Sequence, residues 1–191
     1  MKFEVVRTPS PRPRPPADNL GFGVHFSDHV FRMDYDGDWR SPRIEPYGPI
    51  AMEPGASVLH YAQAIFEGMK AHRGEDGVVR LFRPDRHAAR FASSAGKLCM
   101  PAVPPEMFVE GCRQLVAVDE DWVPHGRGEA LYLRPLLFTD QAYLGVRPAD
   151  TYRFFIMTSP VGAYYAEGFN PVRILIEKER VRAARGGVGD A

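Results

Sequence analysis

The pair Tyr132 and Arg134 in "LYLRP" is the first place where this chain offers chemistry. On an extended segment the two share one face by the two-residue period. If that face points inward, Arg134 is a buried cation that needs an anion, because burying an unpaired charge is costly. Arg90 in "RHAARF" falls on a helical segment, where a solvated face position is the ordinary reading. Tyr61, Phe66 and Gly68 in "LHYAQAIFEGMKAHRG" mix apolar and polar types at a change from helix to strand. Side chains at such a change line a pocket; residue type alone would equally place Tyr61 and Phe66 in a core.

Metal chemistry is not expected, although the chain has six histidines. "HFSDH" (25–29) has Asp28 where an inverted zinc-protease motif has glutamate, and it reads as extended. On a strand His25 and His29 share a face but stand too far apart to hold one ion without a bend. There is no Gly-x-Ser-x-Gly elbow and no phosphate loop with its lysine.

The elements that must position these residues alternate in kind. "HVFRMDYDGDWRSPRIEPYG" reads as a hairpin with Asp36-Gly37 in its turn. "GVVRLFRP" (77–84), "EALYLRPLLFT" (129–139), "TYRFFIMTSPV" (151–161) and "NPVRILIEKE" (170–179) read as strands. Two helices are predicted between them. Residues 85–100 place Ala88, Phe91, Ala95 and Leu98 at helical spacing, and residues 104–122 place Phe108, Cys112, Leu115 and Val116 on one face. Strands, then helices, then strands again indicate an α+β fold with a mixed or antiparallel sheet. "PSPRPRPP" (9–16) has five prolines in eight positions and is expected to be an extended, flexible arm that hugs the surface, with a ligand for a signalling domain as the alternative and order beginning near "LGFGVHF".

Composition removes several functions. The chain carries 24 basic and 24 acidic residues, and no basic run is interleaved with aromatics, so nucleic acid is not an expected partner. No apolar stretch approaches the roughly 18 residues of a spanning helix, so no membrane partner is expected. Cys99 and Cys112 are the only cysteines and read as small buried thiols suited to a reducing interior. "MKFEVVRTPS" has no apolar leader core, and the cytoplasm is the expected location.

In order and spacing, "LHYAQAIFEGMKAHRG", "VRLFRPDRHAARFASSAGKLCMP", "LYLRPLLF", "LGVRP" and "SPVGAYY" resemble the N-terminal half of a branched-chain-amino-acid aminotransferase, a fold-type IV pyridoxal-phosphate enzyme. The resemblance covers residues 20–191. It implies an arm (1–19), a small α/β domain (20–165), and a linker with the first segment of the larger cofactor-binding domain (166–191). It implies that Arg90 binds the phosphate of pyridoxal 5'-phosphate, and that Phe22, Tyr61, Phe66 and Gly68 wall the substrate pocket. Tyr132 and Arg134 would face the substrate side chain, and Val146 in "LGVRP" would reach the partner's site in a homodimer. The implied substrates are leucine, isoleucine or valine and 2-oxoglutarate or glutamate. "GGVGDA" resembles the loop that runs into the lysine holding the cofactor, which is expected immediately after Ala191 and so is not a residue of this chain.

Two related activities, D-amino-acid aminotransferase and aminodeoxychorismate lyase, share the fold type, but "LYLRP" beside "YAQAIFEG" argues against both. A non-catalytic interaction domain descended from the small domain is the alternative from another class.

Overall fold

The computed structural model describes residues 1–163, 165, 170–189 and 191. Tyr164, residues 166–169 and Asp190 lie outside the described residues, and with them the boundary expected after residue 165 and parts of "SPVGAYY" and "GGVGDA".

The chain forms strands β1 (Glu4–Val5), β2 (His29–Asp36) and β3 (Trp39–Pro46), then a short helix α1 (Ser57–Tyr61). Strands β4 (Ala64–Phe66), β5 (Met69–Arg73) and β6 (Val79–Leu81) follow, then helices α2 (Pro84–Lys97) and α3 (Pro105–Val118), and strands β7 (Ala130–Thr139) and β8 (Thr151–Val161). The sheet order is β1-β3-β2-β8-β7-β5-β6, with β4 also paired to β7. β1 runs parallel to β3 and the remaining pairs are antiparallel, so the sheet is mixed, as the α+β expectation has it. The β2–β3 hairpin turns at Gly37, whose φ of +76° suits a residue without a Cβ. Both long helices start on a proline, where the missing N–H costs no intrahelical bond.

Strands β4 and β5 are one edge interrupted at Glu67–Gly68. Phe66 pairs with Leu136 and Met69 with Leu133, so the register is the same on both sides of the break. Alternation along this edge decides which side chains meet which layer. Ile65, Met69, Leu131, Leu133 and Leu137 point to the side covered by α2 and α3, where Ala88, Phe91, Phe108, Cys112 and Leu115 are buried with them. Phe154 from β8 anchors that layer, with ring centroids 5.5 Å from Phe91, 5.9 Å from Phe108 and 6.0 Å from Phe31. The opposite side holds a smaller cluster of Val30, Phe138 and Phe155, joined by Ala64, Leu136 and Met157. Tyr132 and Arg134 belong to this second side.

Three expectations need correction. Residues 170–179 do not form a strand: Ile174, Leu175 and Ile176 are exposed, because among the described residues no edge pairs with them and an unpaired strand leaves its backbone groups unsatisfied. Cys99 is exposed, since α2 ends at Lys97 and the chain turns through φ +54° at Cys99; Cys112 is buried, and burial pushes its thiol up.

The third correction concerns where order begins: β1 lies at Glu4–Val5, well before residue 20, and the arm is held against the surface. Phe3 is buried beside Phe31, and Arg12 and Arg14 clamp the proline run. Arg12 donates its backbone N–H to Asp28 (2.8 Å) and its guanidinium to the carbonyls of Phe26, Ser27 and Tyr47. Arg14 lies over the Trp122 ring and reaches Asp28, which also accepts the Trp122 indole N–H at 2.9 Å. The Thr8 N–H donates to His29 Nε2, so Nδ1 carries the proton that the buried Asp119 accepts at 2.6 Å. His25 instead contacts the Asn19 carbonyl. The two histidines of "HFSDH" therefore serve different structural bonds.

Burial pushes the Asp28 carboxyl up, but bonds from Arg12 and Trp122 and the Arg14 charge leave it below its ordinary value of 3.8. A lowered carboxyl contributes stability above that value and loses it as pH falls through the folded-state pKa. Asp28→Asn is expected to raise protease cleavage within residues 1–19 roughly tenfold, the effect of losing charge-assisted hydrogen bonds. In the unmodified protein the same loosening should appear only as pH drops below 3.8. Equal cleavage of both forms at neutral pH would show that Asp28 does not hold the arm.

Candidate active site

The residues singled out from sequence fall into three neighbouring groups. The first lies on the second side of the sheet, around Tyr132 and Arg134 on β7. Tyr132 Oη accepts from Arg134 Nη2 at 2.8 Å, and Phe22 packs on Tyr132 with ring centroids 5.1 Å apart. The Arg134 guanidinium lies 4.3 Å above the Phe66 ring. A Cβ on Gly68 would collide with Tyr132 Oη and stand 3.0 Å from its Cζ, so glycine is what lets the ring lie against this strand. Phe22, Tyr132 and Arg134, with Phe26, Leu136 and Met157, line a cleft of about 320 Å³.

Two features set this group apart from the core. Phe66 is 64% exposed and Phe22 50%, one against Arg134 and the other on Tyr132. Arg134 is half-buried, and its partners are a phenol and two aromatic faces. Among the described residues no carboxylate pairs with it. A positive charge is thus held beside an apolar wall.

The second group is the loop after β7. Tyr61, at the end of α1, donates its hydroxyl to the Leu144 carbonyl. The loop is further tied by Tyr143 N–H to the Gly55 carbonyl and by Gln141 and Arg147 to Asp150. These bonds present Val146 outward, 89% exposed. Tyr61 therefore positions this loop and is not in the cleft with Tyr132.

The third group stands on the helix side of the same edge. Arg90 on α2 pairs through Nε and Nη2 with the carboxylate of Glu67, which is 5% exposed, and the arginine side chain remains 65% exposed. His87 Nδ1 and the Gly68 N–H also reach Glu67 Oε2, at 2.8 and 3.0 Å. Glu67 is the residue that sequence reasoning passed over. Its signal was the period-2 pattern, which puts a carboxylate between Ile65 and Met69 on the buried face, where it requires a cation. Burial pushes this carboxyl up; the bonds from Arg90, His87 and Gly68 outweigh that and hold it below the usual carboxylate range.

No protein-family model matches the chain. Among curated proteins it is 47% identical over 193 residues to branched-chain-amino-acid aminotransferase 2 of Bacillus subtilis (strain 168), covering 100% of this chain and 53% of that protein. The chain is homologous to branched-chain-amino-acid aminotransferases over its whole length. A Mycolicibacterium smegmatis branched-chain-amino-acid aminotransferase is 49% identical over 176 residues, covering 91% of this chain and 48% of that one. The chain spans about half the length of the curated aminotransferases it matches.

The fold matches solved aminotransferases as well. The branched-chain aminotransferase of Thermoproteus uzoniensis, solved with norvaline, superposes with a TM-score of 0.56 at 20% identity, over 72% of this chain and 42% of that one. The PLP-form enzyme of Thermobaculum terrenum gives 0.51 at 18%, over 72% and 41%. At these identities the likeness establishes the fold alone, an α+β fold shared with those solved chains.

Proposed function

We propose that this chain is the small-domain part of a pyridoxal-phosphate-dependent branched-chain-amino-acid aminotransferase, which moves the amino group between leucine, isoleucine or valine and 2-oxoglutarate. The observation that carries this reading is the juxtaposition of the Phe22–Phe66–Tyr132 wall with an Arg134 that has no carboxylate partner among the described residues. Whole-length identity of 47% to a curated enzyme of that activity supports it.

An aminotransferase of this kind must accept an apolar side chain in one half-reaction and a carboxylate in the other. The aromatic wall stabilises a branched side chain by burial, by roughly 1.5–3 kcal/mol. When glutamate enters, Arg134 supplies the charge for its side-chain carboxylate. When leucine is bound, Tyr132 Oη and the Phe66 ring keep the guanidinium solvated by polar and π partners. One pocket thus serves both substrates without moving a charge into an unpaired state.

The cofactor fits the donor set present. Arg90 offers a planar guanidinium whose Nε and Nη2 edge is taken by Glu67 and His87 and whose Nη1 makes no hydrogen bond among the described residues, a donor that suits a phosphate dianion. Pyridoxal phosphate, when bound, supplies the electron sink that makes an amino acid's Cα proton removable. The chain's contribution is to hold the phosphate through Arg90, orient the substrate side chain through Tyr132 and Arg134, and exclude water with Phe22 and Phe66. The lysine that would move the proton belongs to the rest of the protein, as does most of the cofactor pocket. The division at residues 165–166, a homodimer in which Val146 approaches the partner's site, and a cytoplasmic location are parts of the same proposal. No helix among the described residues is long and apolar enough to cross a membrane.

The test uses the full-length protein with added pyridoxal phosphate. Leucine and 2-oxoglutarate should yield glutamate and the branched 2-oxo acid. Turnover of D-alanine without turnover of leucine would replace the reading. Arg90→Ala is expected to weaken pyridoxal-phosphate affinity roughly 10- to 100-fold, the worth of a charge-assisted phosphate contact, with little change in unfolding midpoint. Unchanged affinity in an absorbance titration would remove Arg90 from the phosphate site.

A further inference from the structure

We propose that Glu67 is a positioning residue for the cofactor phosphate: it holds Arg90 by one edge of the guanidinium so that the other edge is presented to the dianion. The proposal rests on the reading of Arg90 given above and extends it to a residue that touches neither cofactor nor substrate.

An arginine on an exposed helix face has many rotamers, and ordering it for a ligand carries an entropic cost at the moment of binding. Arg90 has been ordered beforehand. Glu67 takes its Nε with one carboxylate oxygen and its Nη2 with the other, a fork-to-fork pair. Nη2 also lies 3.3 Å from His87 Nδ1. This leaves Nη1, which makes no hydrogen bond among the described residues, as the group presented to the dianion.

Glu67 is itself fixed. It is buried at the break between β4 and β5, its Oε2 accepts from His87 and from the Gly68 N–H, and its own N–H donates to the Pro135 carbonyl at 2.9 Å. The carboxylate therefore cannot follow Arg90 if the arginine moves. The arginine is held to the carboxylate. Because Gly68 also sits against Tyr132, one turn of backbone ties the phosphate contact on the helix side to the substrate wall on the other side.

A buried anion this close to a phosphate also repels it, so the two effects predict opposite results for neutralisation. The geometry favours orientation, because the guanidinium lies between Glu67 and its open edge. Repulsion is then partly cancelled, whereas loss of the fork frees Arg90 altogether.

The experiment measures the affinity of the full-length apoprotein for pyridoxal 5'-phosphate and for pyridoxal, and takes their ratio as the phosphate-specific contribution. Glu67→Gln is expected to lower that ratio roughly tenfold, the range for losing a charge-assisted bidentate pair, with pyridoxal affinity nearly unchanged. An unchanged or increased ratio would overturn the proposal. Should Glu67→Gln not fold, Arg90→Lys decides: a point charge cannot fork to a carboxylate and a phosphate together, so its ratio should fall nearly as far as in Arg90→Ala. Retention of the phosphate preference by the lysine variant would equally overturn it. If Arg90→Ala keeps the full ratio, the reading of Arg90 fails and this inference with it. If Arg90→Ala loses the ratio while Glu67→Gln keeps it, only the inference fails.

Discussion

Arg134→Met in the full-length protein is expected to slow the half-reaction with glutamate or 2-oxoglutarate roughly 10²- to 10³-fold while changing that with leucine only a few-fold. The magnitude is that of removing one partner from a desolvated charge pair. Methionine keeps most of the side-chain volume, so the wall formed with Phe66 and Tyr132 stays filled. The guanidinium lost is the one charged group among the described residues that line the cleft. Single-turnover rates measured separately for each substrate check the prediction, and equal losses in both would make Arg134 a structural residue.

Gly68→Ala should cost roughly 10² in kcat/KM for both substrates, the scale on which a displacement of about 1 Å degrades a positioned site. The added methyl group meets Tyr132 Oη, which is bonded to Arg134 and packed on Phe22, so the ring cannot retreat without moving both. Gly68 has no positive φ, and the effect is steric rather than conformational. Stability should fall far less than activity, which a denaturant titration beside the kinetics would establish. A second change, Tyr132→Phe, removes the colliding oxygen and should recover part of the loss when combined with Gly68→Ala.

Much of this arrangement was legible in the sequence. The strand-like apolar runs 129–139 and 151–161 matched β7 and β8 to within a residue, and the 3.6-residue spacing of Phe108, Cys112 and Leu115 located the buried face of α3. The two-residue period put Tyr132 and Arg134 on one face. The failures share a cause: each depended on partners distant in the chain. The proline arm has no local reason to be ordered, and its anchors, Asp28 and Trp122, lie far along the sequence. "NPVRILIEKE" has the local marks of a strand, yet no strand of the described residues pairs with it. Glu67 looked like a polar residue in a mixed stretch until the register of β4 and β5 placed it on the buried side opposite α2. Arg90 is where local and distant information meet. Its helix was plain from sequence, and its ion pair was not.

The order of strands in the sheet has a kinetic meaning. β2 pairs with β8, bringing Val30 beside Met157, and through β8 it is joined to β7. Phe22 precedes β2 and Tyr132 lies on β7, so the cleft is absent until the last of these strands has joined. Contacts between segments so far apart must overcome a large loop-closure entropy before they contribute, which places this domain among slow folders. During synthesis the β2–β3 hairpin leaves the ribosome long before its neighbour exists and exposes an unpaired edge carrying Phe31 and Met33. That nascent hairpin, rather than any part of the finished molecule, is the segment most in need of protection from aggregation.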